Sequence, residues 1–244
     1  MKIINAVWEK RNLDETCTEL FCENNDSSET LRQELQKWNS DYMVVEVPVG
    51  RVDFHRVLQE CGYYYVETMF QIEKKLEQLH LRAEQIEKAS HMTFTINDSL
   101  AKERTFAEIR AGMFTTDRVT IDPYFKASQG AERYIGMLTD EFKRGADFME
   151  FLYNEDPFGF ACFRRSGETS YHQSLTGIYS AYRGNGYGFS LAYLPNKYLM
   201  ELGIRTLTGA VSTNNTSSLQ AHLRMGFLPI DTKYVFVKHN RKSV

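Results

Sequence analysis

The sequence predicts an α/β protein, an α+β arrangement on a mixed sheet, in two successive units. Short segments rich in valine and aromatic residues alternate with segments whose apolar residues recur every three or four positions, as strands alternate with helices. Segments 147–153 and 158–164 are joined by a polar turn and predict an antiparallel hairpin. A strand at 171–180 leads into a glycine-rich loop, and the apolar residues after the loop have helical spacing.

The first unit is predicted to span residues 1–75 and to contain strands and helices in alternation. The pattern predicts strands at 1–7, 42–47 and 63–72 and helices at 28–38 and 52–60. Residues 76–91 are rich in charge and contain neither glycine nor proline, so we interpret them as a connector, helical in part. No glycine-rich loop precedes a helix in this unit, which predicts that it binds no cofactor.

The second unit is predicted to span residues 92–244. Strands are expected at 92–97, 147–153, 158–164, 171–180, 206–211 and 232–238, and helices at 100–112, 131–144, 191–202 and 217–225. The order is therefore strand, two helices, three strands, helix, strand, helix, strand. The C-terminal helix, glycine and aromatic residue of this unit repeat a pattern of the first unit, where Gly62 ends a helix as Gly226 does. We interpret the first unit as a truncated repeat of the second; chance similarity of two helix–strand units is the alternative.

Composition excludes several classes of protein. Hydrophobic residues make up 42% of the 244, enough for a core, while the net charge of −3 gives no general attraction to nucleic acid or to an anionic membrane. No apolar run approaches the roughly 20 residues of a membrane span, and the N-terminus is charged where a signal peptide is apolar. We therefore expect a cytoplasmic protein. Cys17, Cys22, Cys61 and Cys162 have no metal-ligand spacing, which predicts reduced thiols and no metal.

The glycine-rich loop is the segment most informative about function. It reads Arg183-Gly184-Asn185-Gly186-Tyr187-Gly188 and stands at the start of a predicted helix. Glycines leave the backbone N–H groups of such a loop accessible, and the positive end of the helix dipole points at the same place. The loop is therefore a candidate diphosphate site; a surface turn that begins a helix is the plainer interpretation.

A second motif follows at a fixed distance. Asn215 stands before a predicted helix, which Gly226-Phe227 ends. Asparagine at this position is an ordinary helix cap, and glycine an ordinary helix stop. The two motifs together have the form R-x-x-G-x-G and then N-x(10)-G-F, and the combination is much more specific than either motif alone.

This combination, with the element order around it, resembles the GCN5-related N-acetyltransferase (GNAT) superfamily over about residues 92–240. Within that superfamily the chain is most similar to the branch of the TDP-fucosamine acetyltransferase, because that branch also carries a smaller N-terminal α/β unit. Residues 114–125 resemble its substrate-side loop, though less specifically. The resemblance implies acetyl-CoA as cosubstrate, a primary amine of a small molecule or sugar nucleotide as acceptor, and no nucleic-acid or membrane partner.

The resemblance also implies roles for individual residues. The loop Arg183 to Gly188 would hold the pyrophosphate of acetyl-CoA through its backbone. The strand end Ile178-Tyr179-Ser180 would separate from its neighbour and pair with the pantetheine arm as an added strand. Asn215 would bind the same arm.

The catalytic residues are less clearly indicated. A tyrosine that protonates the leaving thiolate often follows the family's asparagine by seven residues, and this chain has His222 there. Histidine is able to supply that proton; packing against neighbouring leucines is the alternative. For the base that deprotonates the amine, His172 and Gln173 lie on the strand before the loop, and Asp147 and Glu150 on a neighbouring strand. Tyr179 and Tyr187 are further candidates for the acid.

Two other functions stay open at this point. A CoA-binding module without turnover fits the substituted tyrosine position. An unrelated nucleotide-phosphate protein fits the glycine loop alone, although no Lys-Ser or Lys-Thr follows the loop as in a P-loop.

Overall fold

The computed structural model describes residues 1–240. Within them the strands are β1 Lys2–Asn5, β2 Cys17–Phe21, β3 Tyr42–Pro48, β4 Tyr64–Lys75, β5 Met92–Ile96, β6 Asp147–Tyr153, β7 Asp156–Arg165, β8 Ser170–Ile178, β9 Thr206–Ser212 and β10 Leu228–His239. The α-helices are α1 Val7–Leu13, α2 Ser28–Lys37, α3 Val52–Glu60, α4 Ala83–Ser90, α5 Ser99–Arg110, α6 Ala127–Lys143, α7 Ser190–Glu201 and α8 Thr216–Arg224, with a 3-10 turn at Ser180–Tyr182.

These strands form one ten-stranded sheet in the order β1-β2-β3-β10-β4-β9-β8-β7-β6-β5. The pairs β2–β3 and β8–β9 are parallel, and the other neighbours are antiparallel. The predicted mixed sheet is confirmed, and so is the predicted order of elements in the second unit. Helix α4 lies in the predicted connector, which joins two parts of one continuous sheet.

Helices cover both faces of the sheet. In the second unit α5 and α6 pack on a face that includes Phe148 and Phe160, whereas α7 packs on the opposite face with Phe151 and Phe163. Successive residues of a strand point to opposite faces of the sheet. The positions of these four phenylalanines along β6 and β7 therefore provide an apolar surface for helices on each face.

The same strand–helix–strand arrangement occurs twice. Strands β3 and β9 have seven residues each, helices α3 and α8 nine each, and strands β4 and β10 twelve each. Gly62 and Gly226 follow the two helices at the same position, and the buried rings of Tyr63 and Phe227 come next. This equivalence supports the interpretation of the first unit as a truncated repeat.

The last strands of the two units are exchanged. Strand β10 belongs to the second unit by sequence but lies between β3 and β4 of the first. Strand β4, in turn, pairs with β9 of the second unit along Met69–Lys75. Each unit therefore completes the sheet of the other, and the centre of the sheet is the antiparallel pair β4–β9.

Two elements of the first unit were not predicted, namely α1 and β2. The strand expected at 1–7 ends at Asn5, and helix α1 begins at Val7. Helix α1 buries Glu9 and Asn12 against α6, so its inward face is polar and shows no apolar periodicity. Strand β2 likewise buries Thr18 beside the partly buried Glu19.

Strands β8 and β9 separate part-way along their length. They pair from Ser170–Gln173 against Thr206–Gly209 and no further, although β8 continues to Ile178. The rest of β8 stays paired with β7 on its other side. One edge of β8 after Gln173 is therefore open, and the separation begins several residues earlier than the predicted site at Ile178.

Residues 1–240 contain no helix with the length and apolar character needed to span a bilayer. The same residues hold no group of three or more histidine, cysteine, aspartate or glutamate side chains arranged to bind a metal ion. All four cysteines are thiols, and Cys17, Cys22 and Cys162 are buried.

Candidate functional site

The glycine loop lies between the 3-10 turn and helix α7, with its backbone open. Gly184 and Gly186 have φ angles of +77° and +79°, in the left-handed region that favours glycine. No acceptor within residues 1–240 pairs with the backbone N–H groups of 184–188. Unpaired N–H groups beside the positive end of a twelve-residue helix are a suitable site for a diphosphate.

Lys88 adds a positive charge to this loop. Its ammonium donates to the Asn185 carbonyl at 2.6 Å and lies 4.7 Å from the centre of the Tyr187 ring. Lys88 comes from α4 in the connector, and no sequence motif marks this lysine as a binding residue. Its place beside the unpaired N–H groups makes it a further phosphate-binding candidate.

A cleft runs from this loop along the open edge of β8. Its volume is about 490 Å³. Gly184, Gly186 and Gly188 line one end, and Thr176, Gly177 and Ile178 of β8 line one side. Met113 to Thr116 form the opposite wall, and α8 contributes Asn215, Ser218 and Ala221. We call it the glycine-loop cleft.

Asn215 caps a helix and also lines the candidate site, so both interpretations of this residue apply. Its Oδ1 accepts a hydrogen bond from the Ser218 backbone N–H at 3.1 Å, which caps α8. The residue also lines the cleft. Since the oxygen holds the helix, the amide nitrogen is the part of the side chain left to bind a ligand.

A second cavity, of about 350 Å³, continues from the cleft. We call it the central cavity. Both spaces share Phe114, Thr116, Thr176, Asn215 and Ser218 in their linings, so a ligand in one is able to meet a ligand in the other. One shared residue, Thr176, lies on β8 beyond the point at which β8 and β9 separate.

His222 is buried in the wall of the central cavity, 6% exposed. Its Nδ1 donates to the Ser218 carbonyl at 2.8 Å, which leaves Nε2 facing the side-chain nitrogen of Gln173 at 3.4 Å. Burial lowers the pKa of His222, and the bond to the Ser218 carbonyl offsets this only in part. The ring is therefore neutral at neutral pH, with its unprotonated nitrogen toward the cavity side.

His172 and Gln173 also line the central cavity. The Thr208 hydroxyl donates to the Tyr171 carbonyl at 3.3 Å, so His172 Nδ1, 3.1 Å away, donates to that hydroxyl and Nε2 is left as an acceptor. Burial and the charge of Arg164 lower the pKa of His172, which keeps it neutral. Gln173 Oε1 is buried with no partner among the described residues.

Four predicted site residues line neither space, namely Tyr179, Ser180, Asp147 and Glu150. Tyr179 is buried, and its hydroxyl bonds Thr105 at 2.7 Å and Glu150 at 2.9 Å. Glu150 also forms an ion pair with Arg104 outside the cavity, and this pair balances the charge of its carboxylate. The backbone N–H of Ser180 donates to Glu108 at 3.1 Å. Asp147 lines neither space, whereas Tyr187 lines the glycine-loop cleft.

The first unit supplies much of the central cavity, which agrees with the expectation that residues 1–75 shape the acceptor pocket, although no motif marked the residues concerned. Glu46 of β3 and Glu67, Met69, Gln71 and Ile72 of β4 line it. A glutamate inside the otherwise apolar strand Tyr42–Pro48 was the one available signal.

The segment 114–125 contributes to the wall of the central cavity, and ion pairs fix it to the sheet. Arg118 bonds Glu19 of β2 at 2.8 Å. Asp122 accepts from His239 Nε2 at 2.9 Å and from the Tyr64 hydroxyl at 3.1 Å. Burial opposes ionisation of Asp122, but the bonds from His239 and the Tyr124 N–H lower its pKa overall. The segment predicted to face the substrate is thus held mainly by the first unit and β10.

Comparison with known families bears on the second unit. Residues 115–227 match the sequence profile of the acetyltransferase (GNAT) family. They form a GNAT-family domain. The profile covers the glycine loop, Asn215, His172 and His222, whereas Glu46, Glu67 and Lys88 lie outside the GNAT-family segment.

Solved structures resemble the whole chain and not only the GNAT-family segment. A GCN5-related N-acetyltransferase from Sphaerobacter thermophilus is similar over 100% of this chain and 77% of its own, with a TM-score of 0.65 and 12% identity. A functionally unknown conserved protein from Staphylococcus epidermidis ATCC 12228 is similar over 92% of this chain and 84% of its own, with a TM-score of 0.61 and 12% identity.

A tandem GNAT protein from the clavulanic acid biosynthesis pathway is similar over 88% of this chain and 69% of its own, with a TM-score of 0.52 and 13% identity. At these identities the likeness concerns the fold. No curated protein sequence matches the chain.

Proposed function

We propose that the protein is an N-acetyltransferase that moves the acetyl group of acetyl-CoA to a primary amine of a small molecule. One observation carries the proposal: a cleft that begins at unpaired backbone N–H groups opens into a second cavity with two neutral histidines. The GNAT-family segment agrees with this activity. A sugar nucleotide was the other acceptor class expected from the sequence, and so was likeness to the TDP-fucosamine acetyltransferase branch; both stay predictions.

The glycine-loop cleft suits CoA along its length. The N–H groups of 184–188 would receive the diphosphate, and Lys88 would add a charge. The open edge of β8 at Thr176–Ile178 would pair with the amide groups of the pantetheine arm, as an added strand does. The Asn215 amide lies beside the same path. The thioester end would then reach the residues shared by both spaces.

The reaction needs one proton removed and one supplied. The amine nitrogen bonds to the acetyl carbon, the carbon–sulfur bond breaks, and the thiolate takes up a proton. Neutral His172 with an unprotonated Nε2 is able to take the proton of the attacking amine. His222 would deliver a proton from Nε2, for which it must first be protonated. Its bond to the Ser218 carbonyl fixes the ring so that Nε2 is the nitrogen that donates.

The neutral state of His222 also favours a second candidate, a CoA-binding module without turnover. The test is to incubate the full chain with acetyl-CoA and a panel of amines, with release of free CoA thiol and acetylated product both measured. Product from any amine supports the proposal. Tight CoA binding with no product from any amine would support the CoA-binding module without turnover. ATP binding without CoA binding would contradict both the acetyltransferase and the CoA-binding module.

A further inference from the structure

Two carboxylates of the first unit face the central cavity on either side of one residue. Val235 of β10 pairs with Glu46 of β3 on one side and with Glu67 of β4 on the other. Directly opposed residues of antiparallel strands point to the same face of a sheet. Glu46 and Glu67 therefore form a row with Val235 between them, and both carboxylates line the central cavity.

No hydrogen bond or ion pair from residues 1–240 reaches either carboxylate. Glu67 is only 3% exposed, and it lines the cavity rather than the outer surface. An ionised carboxylate that is buried without a partner is unfavourable, and such groups normally carry one. The missing partner indicates a ligand group with the opposite charge.

The other charges of the cavity are already matched. Arg118 pairs with Glu19 and Arg133 with Glu9, at 2.8 Å in each case. Asp117 accepts hydrogen bonds from the Val119 N–H at 3.0 Å and from the Thr120 hydroxyl. Both guanidinium groups are thus already paired, although the charge of Arg118 also acts on Glu46 and Glu67. The cavity and its ion-pair partners together hold five carboxylates and two guanidinium groups, so negative charge is in excess.

The far end of the cavity offers a separate polar contact. Gln173 Oε1 is buried and has no donor among the described residues. It lies on β8 beside His172, the proposed base, whereas Glu46 and Glu67 lie on the strands of the first unit. An acceptor amine near Gln173 and a cation near the two glutamates would satisfy both groups.

We propose that the acceptor is a small amine with a second cationic group, which Glu46 and Glu67 bind while the reacting amine faces His172 and Gln173. This rests on the proposed function and names the substrate class of the same site. The cavity volume of about 350 Å³ is at the small end of ligand sites. The excess negative charge disfavours the diphosphate of a sugar nucleotide and favours a diamine.

The test uses three acceptors of equal chain length that differ only at the far end: 1,4-diaminobutane, 1-aminobutane and 4-aminobutanoate. We expect kcat/KM for the diamine to exceed that for the monoamine by about 10- to 100-fold, the usual worth of a charge-assisted hydrogen bond. The carboxylate is expected to be the poorest acceptor. Equal rates for the diamine and the monoamine would overturn the proposal, and so would a preference for 4-aminobutanoate.

Glu67→Gln and Glu46→Gln keep the side-chain shape and remove the charge. Each is expected to raise KM for 1,4-diaminobutane about tenfold or more, with little change for 1-aminobutane and in acetyl-CoA affinity. Glu73→Gln, on the same strand but outside the cavity, is the matched control. An equal rise in KM for all three acceptors would mean that the substituted glutamate has only a structural role.

Calorimetry separates this inference from the proposed function. The diamine should bind the CoA-loaded wild-type protein and bind Glu67→Gln more weakly, whether or not turnover occurs. Diamine binding without acetylation would refute the proposed function and retain the cation site. Acetylation of amines without any effect of Glu67→Gln would refute the cation site alone.

Discussion

The ammonium of Lys88 donates to the carbonyl of Asn185 at 2.6 Å, so a lysine from the connector helix lies on the glycine loop. The contact joins a part of the chain outside the GNAT-family segment to the phosphate-binding candidate inside it. It also places a positive charge beside N–H groups that have no protein acceptor within residues 1–240.

The first prediction concerns this lysine. Lys88→Ala should weaken CoA binding roughly three- to tenfold because a charged donor to phosphate is lost. The effect should shrink at high salt, where charges are screened. Calorimetry at two salt concentrations checks it. Lys143→Ala, an exposed lysine of α6, is the control, and an equal change in both variants would contradict the prediction.

The second prediction concerns Gly186. A branched side chain at φ +79° strains the backbone by roughly 1–2 kcal/mol and stands where a phosphate must approach. Gly186→Val should therefore weaken CoA binding about tenfold or more while the fold is retained. Gly203→Val is the matched control, since Gly203 has φ +74° at the end of α7 outside the cleft. Unchanged affinity in Gly186→Val would refute the loop as the diphosphate site.

The third prediction concerns His222. If its protonated ring is the acid, His222→Phe should lower kcat on the order of 10²- to 10⁴-fold with acetyl-CoA affinity nearly unchanged. Because burial lowers the pKa of His222, its protonated form increases as pH falls towards that pKa, so kcat of the wild type should first rise on acidification and then fall when the base His172 is protonated as well. The Phe variant should lack the rise. His222→Tyr should restore part of the rate. A Phe variant with full turnover assigns His222 to packing.

The fourth prediction concerns Asp122, which fixes the segment above the central cavity. Asp122→Asn removes the charge that holds His239 and weakens the bond from Tyr64. KM for the amine should rise several-fold, whereas CoA affinity should change less, because Asp117 and Arg118 of the same segment line the central cavity and not the glycine-loop cleft. Stability should fall by about 1–3 kcal/mol. Asp156→Asn, in the exposed β6–β7 turn, serves as the control in both the kinetic and the unfolding measurement.

The sequence predicted local structure well where apolar spacing was regular. Helix 52–60 matches α3 at both ends, and the hairpin and the strand before the glycine loop are confirmed. Helix α1 was missed because Glu9 and Asn12 take the inward positions that apolar residues normally occupy. Local spacing carries no information about such polar packing against a distant helix.

The residues of the candidate site likewise fall into those that can be recognised from local sequence and those that cannot. The glycine loop and Asn215 are recognisable because their function needs particular residues at fixed spacing. Glu67 was not recognisable, because its position depends on which strands become neighbours. The pairing of Val235 with both Glu46 and Glu67 joins residues far apart in the sequence, and the alternation within each strand does not specify the partner.

The exchange of β4 and β10 has a consequence for how the protein is made. A ribosome releases the chain from its N-terminus, so β3 and β4 emerge long before the strand that belongs between them. The first unit must wait with an open strand edge until β10 has been synthesised, and such edges favour association with other chains. Glu46 and Glu67 reach their final positions only when β10 arrives. A strand far along the chain thus completes the part of the cavity wall that lies earliest in the sequence.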